Sequence, residues 1–69
     1  MSWSELFDAY LVANKISGLK AALDLKVSPS FVHYWRKGTT PRNEKKLARI
    51  ERWSKGNVPA SAARPRKAA

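Results

Sequence analysis

The stretch GLKAALDLKVSPSFVHYWRK, Gly18 to Lys37, reads as two short helices separated by a tight turn. Leu19, Ala22 and Leu25 recur at i, i+3 and i+6, which places them on one face of the first helix. Val27, either Phe31 or Val32, and Trp35 supply the matching face of the second. Ser28-Pro29 marks where the second helix starts. The serine oxygen can accept from a free backbone N–H, and proline at the first helical position lacks an N–H that has no intrahelical partner anyway. Helices joined by so few residues cross steeply, in helix-turn-helix geometry.

Outward from this stretch, Ser17 is the expected cap of the helix from Gly18 to Leu25. Lys26 stands in the turn, where the backbone favours positive φ and a side chain costs roughly 1 kcal/mol relative to glycine. Upstream, Ser2-x-x-Glu5 has capping-box spacing, with Ser4 as a competing cap. Trp3, Leu6, Phe7, Tyr10 and Leu11 then form an apolar stripe on a helix from Trp3 to Asn14, and Ile16 follows into the core. Downstream, the helix from Pro29 to Lys37 ends at Gly38. The loop Gly38-Thr39-Thr40-Pro41 leads to a last helix, Pro41 to Lys55, with Thr40 as its cap. Leu47, Ile50 and Trp53 are its apolar stripe, and Glu51 and Lys55 form a favourably oriented i,i+4 pair. Good helix formers at helical spacing between Leu47 and Trp53 select helix over a β-hairpin.

The expected fold is therefore all-α: a compact domain of four to five helices over residues 1–58. Residues 59–69 contribute one short helical turn near Ala60–Ala63 and then a flexible basic tail beyond Pro65.

With 69 residues the chain makes one small domain, and such a domain buries only about 60% of the surface it exposes when unfolded. It has no cysteine, so neither disulfides nor thiolate metal sites stabilise it. No apolar run reaches the roughly 20 residues of a membrane span, and the first residues do not read as a signal peptide. A reducing cytoplasm is the expected location. The net charge of +9 is unevenly placed. Residues 1–25 hold two lysines against Glu5, Asp8 and Asp24, a net −1, whereas residues 26–69 hold twelve Lys or Arg against Glu44 and Glu51, a net +10. A near-neutral scaffold joined to a basic half points to a polyanionic partner, nucleic acid or an anionic membrane. Catalysis is not expected: the sole histidine, His33, falls on an exposed helix face, and the five acidic residues show no metal-binding spacing. Neither a metal nor a cofactor is expected.

The residues from Ser17 to Pro65 resemble the Cro-type repressors of lambdoid phages and related prophage-encoded (YdaS-like) regulators. The resemblance is carried by the framework Ala22, Leu25, Val27, Val32 and Trp35, by Pro41 after the loop, and by Ile50-Glu51-Arg52 followed by Gly56 and Arg64-Pro65. Members of that family are small repressors that bind double-stranded operator half-sites as dimers. The resemblance implies that the helix Pro29 to Lys37 enters the major groove, while the start of the preceding helix rests on the backbone. The positions that match base-reading sites are Ser28, Pro29, Ser30, His33 and Tyr34, with Lys37 at their rim. Relatives often carry glutamine where this chain has Gly18 and Pro29, so base choice shifts onto Ser30, His33 and Tyr34, with DNA shape contributing.

Phosphate contacts are expected from Ser17 and Lys20, from Lys26, Arg36 and Lys37, and from Thr39, Thr40 and Arg42 at the cap of the last helix. Lys26 has simple solvation as an alternative role, and Lys45, Lys46 and Arg49 form a solvated face. Trp53 is either an extra core residue or the anchor of a weak homodimer that forms on DNA. Two other functions fit the same composition. One is a DNA-binding antitoxin with the tail as toxin-binding segment. The other is a cationic protein that lies on membrane surfaces.

Overall fold

The capping box sets the start of the first helix, α1 (Trp3–Ala13), in the computed structural model, which describes residues 2–63. Ser2 Oγ accepts from the Glu5 N–H at 3.2 Å, and Glu5 Oε1 accepts from the Ser2 N–H at 3.1 Å. These bonds favour the carboxylate: the Ser2 N–H first, then the Ser2 hydroxyl, hold the Glu5 pKa below its ordinary value. Ser4 does not compete for the cap. It is buried, and its hydroxyl donates to the Trp35 carbonyl, tying α1 to the third helix.

Trp3, Phe7 and Leu11 form the fully buried face of α1. Trp3 stacks on Phe7 with ring centroids 5.1 Å apart, and both meet Trp35 edge-on at 6.0 and 5.8 Å. Rings in these arrangements bury large areas in a fixed relative orientation, so this cluster fixes how α1 sits on the third helix. Leu6, Tyr10 and Ile16 pack around it.

The next two helices are α2 (Gly18–Leu25) and α3 (Pro29–Lys37). Ser17 caps α2 by accepting from the Lys20 N–H at 3.0 Å. The inward face of α2 departs from the spacing first read. Ala21, Ala22 and Leu25 are buried, whereas Leu19 and Leu23 are 60% and 68% exposed. Gly18, Ala21, Ala22 and Leu25 lie at i, i+3, i+4 and i+7, and this small-residue stripe lets α2 approach α3 closely. A methyl group added at Gly18 would lie 3.6 Å from Val32 Cγ1. With that stripe turned inward, Leu19 is rotated out to solvent.

Lys26 closes α2 in the left-handed conformation, at φ 57° and ψ 44°. Its N–H and that of Val27 return to carbonyls of α2, and Arg49 Nη1 donates to the Leu25 carbonyl at 3.3 Å. A cation at that position complements the negative end of the helix dipole. Ser28 has the backbone conformation of a cap, but its hydroxyl makes no capping bond. Pro29 and the Ser28 carbonyl, which accepts from the Phe31 N–H at 3.0 Å, start α3 without it. Val32 and Trp35 face the core, and Phe31 lies on the flank.

The last α-helix, α4 (Glu44–Trp53), starts three residues later and ends two residues earlier than the expected Pro41 to Lys55. Asn43, not Thr40, caps it: Asn43 Oδ1 accepts from the N–H groups of Lys45 at 2.8 Å and Lys46 at 3.4 Å. Pro41 is buried before the helix begins. Past Trp53 the chain turns, with Lys55 at φ 55° and Gly56 at φ 85°. Lys55 has therefore left the helix and makes no ion pair with Glu51. Glu51 Oε1 instead accepts from the Ala60 N–H at 2.7 Å. Ser54, fully buried, accepts from the Val58 N–H at 3.0 Å and donates to the Glu51 carbonyl at 3.1 Å.

These two side chains fasten a 3-10 turn, Ala60–Ala62, against α4. Val58 and Ala60 are buried, and Ala62 and Ala63 pack on the core. The expected tail beyond Pro65 lies outside the described residues. Within the described residues the fold is all-α, and no helix is long and apolar enough to cross a membrane.

Candidate nucleic-acid interface

α3 places four polar or charged side chains on one outward face. Ser30, His33, Tyr34 and Lys37 are all exposed, on the side opposite Val32 and Trp35. The His33 and Tyr34 rings meet at 5.7 Å in an edge-on contact, which limits the directions each can take. Tyr34 is 56% exposed, so most of its ring and its hydroxyl are open to a ligand. Ser28 and Pro29 stand exposed at the start of the same helix. The Ser28 hydroxyl is not used in capping and is available as a donor and acceptor.

Two grooves flank this face. The first lies between α3 and the start of α2 and is lined by Asp8, Gly18, Leu19, Pro29, His33, Arg36 and Lys37, with Val32 at its floor. α2 points its N-terminus into it. Ser17 satisfies the Lys20 N–H, and the N–H groups of Gly18 and Leu19 have no acceptor among the described residues. Free amides at a positive helix end favour an anion. Arg36, assigned to phosphate from sequence, is already engaged: its Nε donates to Asp8 Oδ1 at 2.6 Å. Lys20 is exposed and pairs with Asp24 of its own helix at 3.3 Å, a contact of the kind worth only a few tenths of a kcal/mol.

The second groove lies on the other flank of α3 and is lined by Phe31, Trp35, Thr39, Thr40, Pro41, Arg42, Asn43 and Lys46. Phe31 is 47% exposed and stacks on Trp35 at 6.0 Å, and Lys46 Nζ sits 4.6 Å from the Phe31 ring centroid. Sequence reading assigned neither Phe31 nor Lys46 to the interface. The signal was present: with Trp35 inward, Phe31 one turn earlier falls on the α4 side, and Lys46 lies in the first turn of the helix that reaches it. The expected anion site at the amides of the last helix is altered. Asn43 occupies the N–H groups of Lys45 and Lys46, so in this groove the side chains of Thr39, Thr40, Arg42 and Lys46 are left to meet an anion.

Two further residues sit away from this face. Lys26 is exposed in the turn between α2 and α3. Trp53 is half-buried and meets Tyr10 at 5.3 Å edge-on, so its ring already serves packing between α4 and α1. Among the described residues no group of three or more His, Asp or Glu is placed to hold a metal ion. No family model, no curated protein and no solved structure matches the chain.

Proposed function

We propose that the protein is a sequence-specific double-stranded DNA-binding transcriptional regulator, built on a lambda-repressor-like helix-turn-helix. It acts on operator half-sites as a Cro-type repressor does, as a homodimer that assembles on DNA, in the cytoplasm or nucleoid of a bacterial host. One observation carries the proposal: a polar face of α3, with few acidic groups, lies between two grooves that both hold cations. An α-helix with its side chains is about 10–12 Å across, matching the roughly 12 Å width of the B-DNA major groove. With α3 seated there, the two flanking grooves face the two phosphate strands.

Roles follow from the chemistry. Ser28, Ser30, His33 and Tyr34 reach base edges through hydroxyl and imidazole groups, Tyr34 also offering a ring face to a thymine methyl, and Pro29 packs by contact alone. On one flank Ser17, the α2 amides, Arg36 and Lys37 meet phosphate; on the other, Thr39, Thr40, Arg42 and Lys46 do so. Lys26 adds charge beside the turn.

A membrane-surface role is less well supported. The exposed apolar residues Val12, Leu19, Leu23, Phe31 and Tyr34 are spread over α1, α2 and α3, and α4 turns its own apolar stripe inward. Fluorescence anisotropy with a labelled duplex selected from a random pool tests the proposal. Binding that weakens steeply with salt, and that drops by at least about tenfold on a scrambled duplex, is expected. Equal affinity for both duplexes refutes sequence-specific regulation.

A further inference from the structure

Asp8 is an acid on a surface proposed to meet DNA, where a negative charge is expected to hinder binding. It is also the acceptor of an ion pair that joins α1 to α3. We propose that Asp8 is a positioning residue for duplex binding: it holds Arg36 as a phosphate clamp against the N-terminus of α2. The assignment rests on the duplex-binding function proposed above.

The geometry has three parts. First, the bond to Asp8 comes from Arg36 Nε, the donor nearest the backbone, at 2.6 Å. A guanidinium has five N–H donors in a rigid plane, so this single bond fixes its direction and leaves the terminal nitrogens without an acceptor among the described residues. Second, one of those terminal nitrogens, Nη1, lies beside the first residue of α2. A methyl group at Gly18 would sit 3.8 Å from Arg36 Nη1, an ordinary contact. Third, the groups beside it are the unbonded N–H groups of Gly18 and Leu19, with Lys37 lining the same groove. The guanidinium and the helix end are both positive, and no acid lies in the first turn of α2. Donors from two elements thus line one groove in which Asp8 is the only acid, and Asp8 is engaged at Nε rather than at the terminal nitrogens.

The alternative is that Asp8 merely neutralises Arg36. The two cases predict opposite signs. If Asp8 only neutralises, removing it adds a unit of positive charge and frees an arginine, so affinity for DNA rises. If Asp8 positions, removal lets a flexible side chain swing away from its anion site, and affinity falls despite the added charge. Asp8 and Arg36 are both partly exposed, at 43% and 35% of their side-chain area, so the pair itself adds little to folding stability.

The experiment compares wild type, Asp8→Ala, Asp8→Glu, Arg36→Ala and the double variant Asp8→Ala/Arg36→Ala, measuring duplex affinity across a salt series and thermal midpoint. Asp8→Ala is expected to weaken binding about threefold to fivefold and to flatten the dependence of log affinity on log salt by roughly one phosphate contact, as Arg36→Ala does. Asp8→Glu restores part of the affinity, and adding Asp8→Ala to Arg36→Ala has no further effect. The thermal midpoints of Asp8→Ala and wild type stay within about 3 °C. Wild-type protein that binds duplex while Asp8→Ala binds equally well or more tightly overturns the Asp8 assignment alone. Wild-type protein with no salt-dependent duplex binding overturns the assignment together with the function it rests on.

Discussion

Replacing Ser54 with alanine removes the most enclosed side-chain hydroxyl among the described residues. Ser54 and Val58 are both fully buried, and the Val58 N–H donates to Ser54 Oγ at 3.0 Å. Without the oxygen that N–H has no acceptor and no route to water. The other lost partner, the Glu51 carbonyl, keeps the Gly56 N–H at 2.8 Å, so only one group is orphaned. A buried donor left unsatisfied costs about 1–3 kcal/mol, which sets the expected loss near 2 kcal/mol. Alanine keeps the β-carbon, so no large cavity adds to this. A domain of 69 residues has a total stability of roughly 3–10 kcal/mol, so a substantial fraction disappears. At about 4–8 °C per kcal/mol, the thermal midpoint falls by roughly 8–16 °C. Urea and thermal denaturation followed by far-UV circular dichroism measure it, with Ser61→Ala at an exposed position as the control. A loss below about 0.5 kcal/mol, the range of an ordinary surface change, refutes the clamp on the 3-10 turn.

Lys26→Gly relieves a left-handed residue and removes a cation. The thermal midpoint should rise, by an amount matching about 1 kcal/mol, while duplex affinity at low salt should fall; a rise in both measurements removes Lys26 from the phosphate contacts. Glu5→Ala tests the capping box through pH. Because the folded-state pKa of Glu5 is lowered, its contribution is fully present above the ordinary carboxylate range and is lost as pH falls through the lowered value. The midpoint difference between wild type and Glu5→Ala should therefore be largest near neutral pH and shrink in acid, and a difference independent of pH contradicts this. Lys46→Ala should weaken duplex binding by a similar factor on every sequence and flatten the salt dependence by about one phosphate; a loss confined to one base position would instead assign it to base reading.

Much of this fold is legible in the sequence because its helix starts use strong local chemistry. Ser2 with Glu5, Ser17, and Pro29 act within three or four residues of themselves, so spacing alone locates them. The misplacements occur where tertiary packing decides. Leu19 reads as core by size, yet the small Gly18, Ala21 and Ala22 face inward because helices approach more closely through small side chains. Thr40-Pro41 carries the same start signal as Ser28-Pro29. Here the proline is buried before the helix, and Asn43 offers an amide oxygen that reaches two N–H groups. Glu51 has its expected partner one turn away, but the chain leaves the helix at Ser54, and a backbone N–H nine residues on takes that carboxylate.

The candidate site divides in the same way. The outward face of α3 follows from helical periodicity once Val32 and Trp35 are taken as core. What periodicity does not give is which cations are already engaged, since Asp8 and Arg36 are 28 residues apart and Phe31 meets Lys46 only through the fold.

Base reading by the α3 face is what the proposed function requires. Its most direct test is selection of bound duplexes from a random pool by wild type and by His33→Ala, at one fixed, near-physiological salt concentration. Wild type should enrich a two-fold symmetric motif, and His33→Ala should lose preference at one position in each half-site while keeping the others. No enriched motif with wild type, or an identical motif with His33→Ala, contradicts the claim.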